Sequence, residues 1–179
     1  MIILIAGDTH TGKTLLAQKL LGKYKYPYFS IDHLKMGTIR SRQCKLPADS
    51  NDMELTDYLW PIIKEIIKTC IENSQNLIIE GCYIPFGWEN DFTDEYRKQI
   101  KYVCLIFSQE YIRHNFQDIL KYENVIEKRQ TTDIILEDMN KTNRYNLEQC
   151  MSRKYNYILI DRSYLMNIDD IINIIHRED

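Results

Sequence analysis

Five short apolar runs punctuate the chain: Ile2–Ala6, Tyr26–Ile31, Asn76–Glu80, Tyr102–Phe107 and Tyr157–Ile160. Each is too short for a helix, and runs such as Leu77-Ile78-Ile79 suit strands buried on both faces of a parallel sheet. Between them apolar residues return every three or four positions, the period of a helix with one buried face. The pattern predicts a first helix from Leu15 to about Gly22, with Gly22 at the C′ position, and a second over His33–Arg42. The clearest helix follows Asn51, whose pairing with Glu54 three residues on is a capping box. Leu59, Ile63, Ile66, Ile67, Cys70 and Ile71 line one face of it. Pro61 predicts a kink there, or a start near Trp60. A short helix from Thr93, one capped by Ser108 and running to about Tyr122, one over Asp133–Arg153 and a last one over Ile168–Ile175 complete the series. Strands alternating with helices imply an α/β fold, a parallel sheet covered on both faces with right-handed crossovers.

The turn between the first strand and the first helix reads Gly7-Asp8-Thr9-His10-Thr11-Gly12-Lys13-Thr14. Two glycines at a set spacing coincide about once in 200 positions at ordinary glycine usage. The required Lys and hydroxyl make a chance match rarer still, and the chain has only 6 glycines to draw on. Glycines let the backbone curl into a nest of inward N–H groups, and the new helix aims its positive end at the same point. This is the phosphate loop of nucleotide-binding proteins. Its backbone from Gly7 to Thr14 cradles phosphates, Lys13 adds a point charge for the outer ones, and the Thr14 hydroxyl is a hard oxygen ligand for Mg²⁺.

Ligands in open α/β sheets sit beyond the C-terminal ends of the strands, and three acids fall at such ends. Asp32, after the second run, is placed to take a proton from an attacking hydroxyl, or to bind Mg²⁺ through water; as a cap it would begin the next helix. Glu80, closing an apolar strand, stands where nucleotide hydrolases keep the acid that orients Mg²⁺. Asp161 closes the fifth run and more readily shapes a base pocket or a turn. Phosphoryl transfer also needs cations that close over the phosphates. Arg129 lies in the polar stretch of about 121–133, where a lid would be, and Arg113 lies on the helix after the fourth strand. Arg40 and Arg42 suit an anionic acceptor, and Tyr83, Phe86 and Trp88 suit the wall of an acceptor pocket. His10 is expected to face solvent.

Composition narrows this further. At 179 residues the chain makes one domain, 1–179, with 44% hydrophobic and 27% charged residues. A net charge of -3, without massed Lys and Arg, argues against a nucleic-acid binder. The 5 cysteines form no C-x-x-C and are expected reduced, which points to the cytoplasm. No apolar run approaches the ~20 residues of a membrane helix. Oligomeric state is not legible.

With the phosphate loop, Asp32, Glu80 and the basic stretch near Arg129, the chain resembles the P-loop small-molecule kinases: nucleoside-monophosphate, shikimate and gluconate kinases and the zeta-toxin group. Ser30-Ile31-Asp32-His33-Leu34-Lys35-Met36-Gly37 and Leu77-Ile78-Ile79-Glu80-Gly81-Cys82-Tyr83-Ile84-Pro85 look like bacterial kinases labelled adenylate-kinase-like or 2-phosphoglycerate-kinase-like. The resemblance implies a three-layer fold, strand order 2-3-1-4-5, a short lid, and ATP and Mg²⁺ as cofactors. It departs from adenylate kinases where they grip the acceptor phosphate: Met36 stands at the position of one arginine, and the arginine after their third strand is missing. An acid at Asp32 is what hydroxyl-phosphorylating members use as base. The expected activity is therefore transfer of the ATP γ-phosphate to a hydroxyl of a small metabolite. The alternatives are a nucleoside-monophosphate kinase and a non-catalytic ATP-binding module. A GTPase is set aside, because Asn140-Lys141-Thr142-Asn143 lacks the acid of the guanine-reading motif.

Overall fold

The computed structural model describes residues 1–121, 135–164 and 167–176. Five parallel strands, β1 (Ile2–Gly7), β2 (Tyr28–Ser30), β3 (Leu77–Glu80), β4 (Ile100–Phe107) and β5 (Tyr157–Ile160), form one sheet in the order β2-β3-β1-β4-β5. The helices are α1 (Lys13–Tyr24), α2 (Ile31–Arg40), α3 (Asp52–Glu72), α4 (Asp94–Arg97), α5 (Gln109–Lys121), α6 (Leu136–Arg153) and α7 (Ile168–Ile175). The expected order and class are what the structure has.

Alternation along β1 builds the three layers. Ile2, Leu4 and Ala6 enter a core with Leu55, Leu59, Ile63 and Ile67 of α3 and Cys150 of α6. Ile3 and Ile5 face the other way, onto Leu16 and Leu20 of α1 and Ile171 and Ile175 of α7. All six β1 residues are buried, as a strand covered on both faces requires. Fully burying each aliphatic side chain is worth roughly 1.5–3 kcal/mol, so the centre of the sheet is its most firmly held part. That centre carries the phosphate loop.

Several expected boundaries move. Gly22 lies inside α1, and the left-handed position belongs to Lys25, at φ 60°, whose N–H reaches the Leu21 carbonyl at 2.9 Å. β2 is shorter than expected, and Ser30 is the N-cap of α2, so Asp32 occupies the first helical turn instead of capping it. Asn51 does cap α3, accepting from the Glu54 N–H at 2.9 Å. No break occurs at Pro61: α3 continues through it as one helix. Pro61 sits on the exposed side, where water can satisfy the carbonyl that its missing N–H leaves over. Ser108 caps α5 as expected, its Oγ accepting from the Tyr111 N–H at 3.0 Å. The expected lid at 121–133 lies outside the described residues apart from Lys121, and so does the start of the helix placed at Asp133. No described helix is long and apolar enough to cross a membrane.

Candidate functional site

The strand register decides which residues meet. Ile5 pairs with Glu80, Ser30 also pairs with Glu80, and Gly7 pairs with Leu105. The ends of β1, β3 and β2 are therefore side by side. The phosphate loop, Glu80 and Asp32 share one edge of the sheet.

The loop needs glycine at both positions for a visible reason. At Gly7, φ is +141°, and a Cβ would stand 2.5 Å from the Leu105 carbonyl oxygen. At Gly12, φ is +82°, and a Cβ would stand 1.3 Å from the Tyr164 hydroxyl. That hydroxyl donates to the Thr11 carbonyl at 3.2 Å, so a tyrosine from beyond β5 braces the loop. Burial pushes the phenol up to about 12, which keeps it a donor at neutral pH. The first α1 bond is made by Leu16 to Gly12, at 2.9 Å. The N–H groups of the first turn precede the helical ladder and make that end an anion site.

Asp8 is the hub of the loop. Its carbonyl accepts from Thr11 Oγ1 and from Lys13 Nζ, both at 2.7 Å. Its carboxylate accepts from the Thr9 N–H at 2.7 Å and from Asn143 Nδ2 at 2.9 Å. Burial pushes the Asp8 carboxyl up to about 6, against the opposing pull of Lys13 and the Thr9 N–H. His10, expected in solvent, is half-buried, with Nδ1 at 2.9 Å from Thr9 Oγ1 and φ at 65°.

Lys13 is buried. Burial opposes its charge, but the acids Glu80, Asp32 and Asp8 around it outweigh that cost, together with the Cys82 sulfur, and hold the ammonium above its usual range. Burial pushes the Cys82 thiol up to about 11, so at neutral pH it is uncharged and the three carboxylates carry the effect. Glu80 is buried and Thr14 half-buried, at the first turn of α1. Among the described residues no group of three or more His, Cys, Asp or Glu is placed to hold a metal. Thr14 and Glu80 still suit Mg²⁺, which keeps waters and takes phosphate oxygens beside one or two protein oxygens.

On the β2 side Asp32 is paired with Lys35, Nζ to Oδ1 at 3.2 Å. Lys35 also donates to the Tyr83 hydroxyl at 2.9 Å and lies 5.1 Å from that ring's centre. Burial opposes the Lys35 charge, and the Tyr83 bond and Asp32 outweigh it and raise its pKa; burial pushes the Tyr83 phenol up to about 12. Asp52, exposed in the first turn of α3, lies in the field of Lys35, Lys13 and Asp32; partial desolvation raises its carboxyl above the usual range.

The aromatic wall expected from Tyr83, Phe86 and Trp88 divides. Tyr83 faces Lys35. Phe86 instead stacks on Tyr155, at 6.3 Å, and Trp88 on Tyr102, at 6.0 Å, in the cluster that closes the core edge. Arg40 and Arg42 are exposed at the far end of α2, about 12 Å along the helix from Asp32. Arg113 is exposed on the second turn of α5, which starts at the C-terminal end of β4. Asp161 is exposed beyond β5, two strands and about 10 Å from β1. Arg129 lies outside the described residues.

Four residues of the site went unnoticed in the sequence. Lys35 had a signal, since a Lys three residues after an Asp on a helix meets it. Asp52, Asn143 and Tyr164 had none, being brought in from distant elements.

No protein-family model matches the chain, and no curated protein matches it in sequence. Solved structures do. A chain from Chloroflexus aurantiacus j-10-fl, proposed to be a kinase, superposes with a TM-score of 0.57 at 13% identity, over 96% of this chain and 94% of the other. A deoxyadenosine kinase from M. mycoides gives 0.52 at 13% identity, over 98% and 96%. A shikimate kinase from Bacteroides thetaiotaomicron gives 0.52 at 13% identity, over 97% and 94%. With the loop geometry and the strand order, these likenesses show that the chain has the fold of the P-loop small-molecule kinases.

Proposed function

We propose that the protein is a phosphotransferase that moves the γ-phosphoryl group of ATP to a hydroxyl of a small metabolite. One observation carries the reading: the buried Lys13 ammonium lies in the field of both Glu80 and Asp32, acids at the ends of two neighbouring strands. A purely structural turn has no use for a buried cation ringed by carboxylates at a sheet edge, whereas phosphoryl transfer depends on such positioned charge. The shared fold with a deoxyadenosine kinase and a shikimate kinase supports a kinase.

In this reading the loop N–H groups hold the donor phosphates and Lys13 leaves the Asp8 carbonyl to neutralise their outer charge. Thr14 and Glu80 hold Mg²⁺, whose charge, when bound, offsets that of the phosphates. Asp32 takes the proton of the acceptor hydroxyl as its oxygen bonds to phosphorus; the bond to the β-phosphate oxygen breaks and ADP leaves. Lys35, itself held by Tyr83, fixes Asp32 in place. Arg113, and the arginine at 129 outside the described residues, would supply further positive charge to the phosphates. A soluble site in the cytoplasm, with a small-molecule acceptor and neither nucleic acid nor membrane as partner, accords with the charge and the cysteines.

The test is ATP-dependent phosphorylation, with Mg²⁺, across a panel of hydroxyl metabolites and nucleoside monophosphates. Transfer to a hydroxyl compound, lost in Asp32→Asn, is expected. Robust turnover of a nucleoside monophosphate would make the protein a nucleotide kinase, and ATP binding without transfer to any member of the panel would make it a regulatory binder.

A further inference from the structure

Asn143 belongs to α6, the helix on the far side of the chain from the phosphate loop in sequence, yet it is buried against that loop. Its Oδ1 accepts from the Phe107 N–H at 2.8 Å, and its Nδ2 donates to the Met139 carbonyl and to Asp8 Oδ2, both at 2.9 Å. These partners fix the amide's orientation without ambiguity. A backbone N–H only donates and a backbone carbonyl only accepts, so the side facing Asp8 must be the NH₂ group.

Asp8 is matched to that donor. One carboxylate oxygen accepts a hydrogen bond from the Asn143 NH₂ group, the other accepts from the Thr9 N–H, and the carbonyl of the same residue accepts from Lys13 and Thr11. A single residue thus links the α6 amide to the ammonium at the centre of the site. Buried networks in which each member is satisfied specify one geometry, because any rotation leaves a donor or acceptor unpaired.

We propose that Asn143 is a positioning residue for the donor site: through Asp8 it sets the shape of the phosphate loop and the place of Lys13. Asn143 touches neither donor nor acceptor; it acts through the loop. The inference rests on reading that loop as the nucleotide site, and goes beyond it by giving α6 a part in donor binding.

The match is directional, so it is tested by exchanging its two ends. Asp8→Asn sets two NH₂ groups face to face, and Asn143→Asp sets two carboxylates face to face. The double variant restores the donor–acceptor match between positions 8 and 143 and keeps the bonds from the Thr9 and Phe107 N–H groups, while a carboxylate oxygen at 143 then faces the Met139 carbonyl, as it does in Asn143→Asp alone. Dissociation constants for MgADP are measured on the full chain by calorimetry, with thermal unfolding as a check of folding. Each single variant is expected to weaken binding at least 10-fold, and the double to bind at least 5-fold tighter than Asn143→Asp, which carries the same carboxylate against the Met139 carbonyl. Single variants that fold and bind as the wild type overturn the proposal, and so does a double variant that binds no tighter than Asn143→Asp. Where a single variant does not fold, Asn143→Ser replaces it, leaving room for water: a folded Ser variant with at least 10-fold weaker binding is expected, and one with unchanged binding overturns the role. A wild-type chain that binds no MgADP refutes the donor-site reading itself, which separates the two failures.

Discussion

The Lys35 ammonium stands 3.2 Å from the Asp32 carboxylate, one helical turn along α2, and is held there by the Tyr83 hydroxyl at 2.9 Å. A carboxylate paired within its own helix, to a cation that the tyrosine after β3 holds in turn, has little freedom to turn away from the sheet edge. This gives Asp32 the fixed direction that a general base requires. Asp32→Asn is expected to keep ATP binding and to lose transfer by ~10²-fold or more. Lys35→Met is expected to lower transfer by about 10-fold, and to add little further loss when combined with Asp32→Asn, because the two act as one unit. Steady-state rates beside ATP titrations check both; full additivity would uncouple them.

Lys13 is the cation on which Glu80, Asp32 and Asp8 converge. Lys13→Met is expected to lower kcat/KM by ~10²–10³-fold, the scale of removing one donor from developing phosphoryl charge. Lys13→Arg is expected to rescue little, since the planar guanidinium is too large for a buried site shaped around a point charge. Rescue to near wild-type activity would argue that charge alone matters there.

Gly12 and Tyr164 are in direct apposition, with no room for a Cβ between them. Gly12→Ala is expected to destabilise the fold by about 1–3 kcal/mol from its left-handed backbone alone, with the clash adding to it. It is also expected to abolish nucleotide binding. Tyr164→Phe removes only the hydrogen bond to the Thr11 carbonyl and is expected to cost about 1 kcal/mol. Denaturant unfolding measures both, and a neutral Gly12→Ala would mean that the loop is not held in this shape.

Asp8 gives a pH signature of stability. Its carboxyl is raised from 3.8 to about 6 by burial, so the folded state holds the proton more tightly than the unfolded chain does. The stabilising contribution is fully present below about pH 3.8 and is lost as the pH rises through about 6. The full span corresponds to about 3 kcal/mol. Relative to Asp8→Asn, the wild type is therefore expected to gain stability as the pH falls from 7 towards 4. Carboxylates remote from Asp8 titrate alike in both proteins and cancel in the difference. Urea unfolding at a series of pH values provides the comparison; a difference that stays flat over this range would place the Asp8 charge elsewhere.

The fold was legible because its signals are local. Runs such as Ile2–Ala6 and Leu77–Ile79 are apolar on both faces, and a strand with no polar face must be buried from both sides. The loop was legible for the same reason: Gly7, Gly12, Lys13 and Thr14 are close in sequence, and their spacing alone sets the backbone nest. A helix start near Trp60 did not follow from Pro61, because packing of the long apolar face of α3 outweighs one lost hydrogen bond on its solvent side. Gly22 misled because a lysine at φ 60° closes α1 three residues later.

What the sequence by itself determined was the layered α/β class, the strand order through the resemblance it carried, and the place where phosphates meet the backbone. Only the tertiary structure decided the company that place keeps. Asp32 met Lys35, which Tyr83 holds, Asp32 of α2 and Glu80 of β3 met Lys13, and Asp8 met Asn143 from 135 residues away. Periodicity assigns a residue to a face, but register and helix packing choose which faces touch, and the chemistry of this site lies in those contacts.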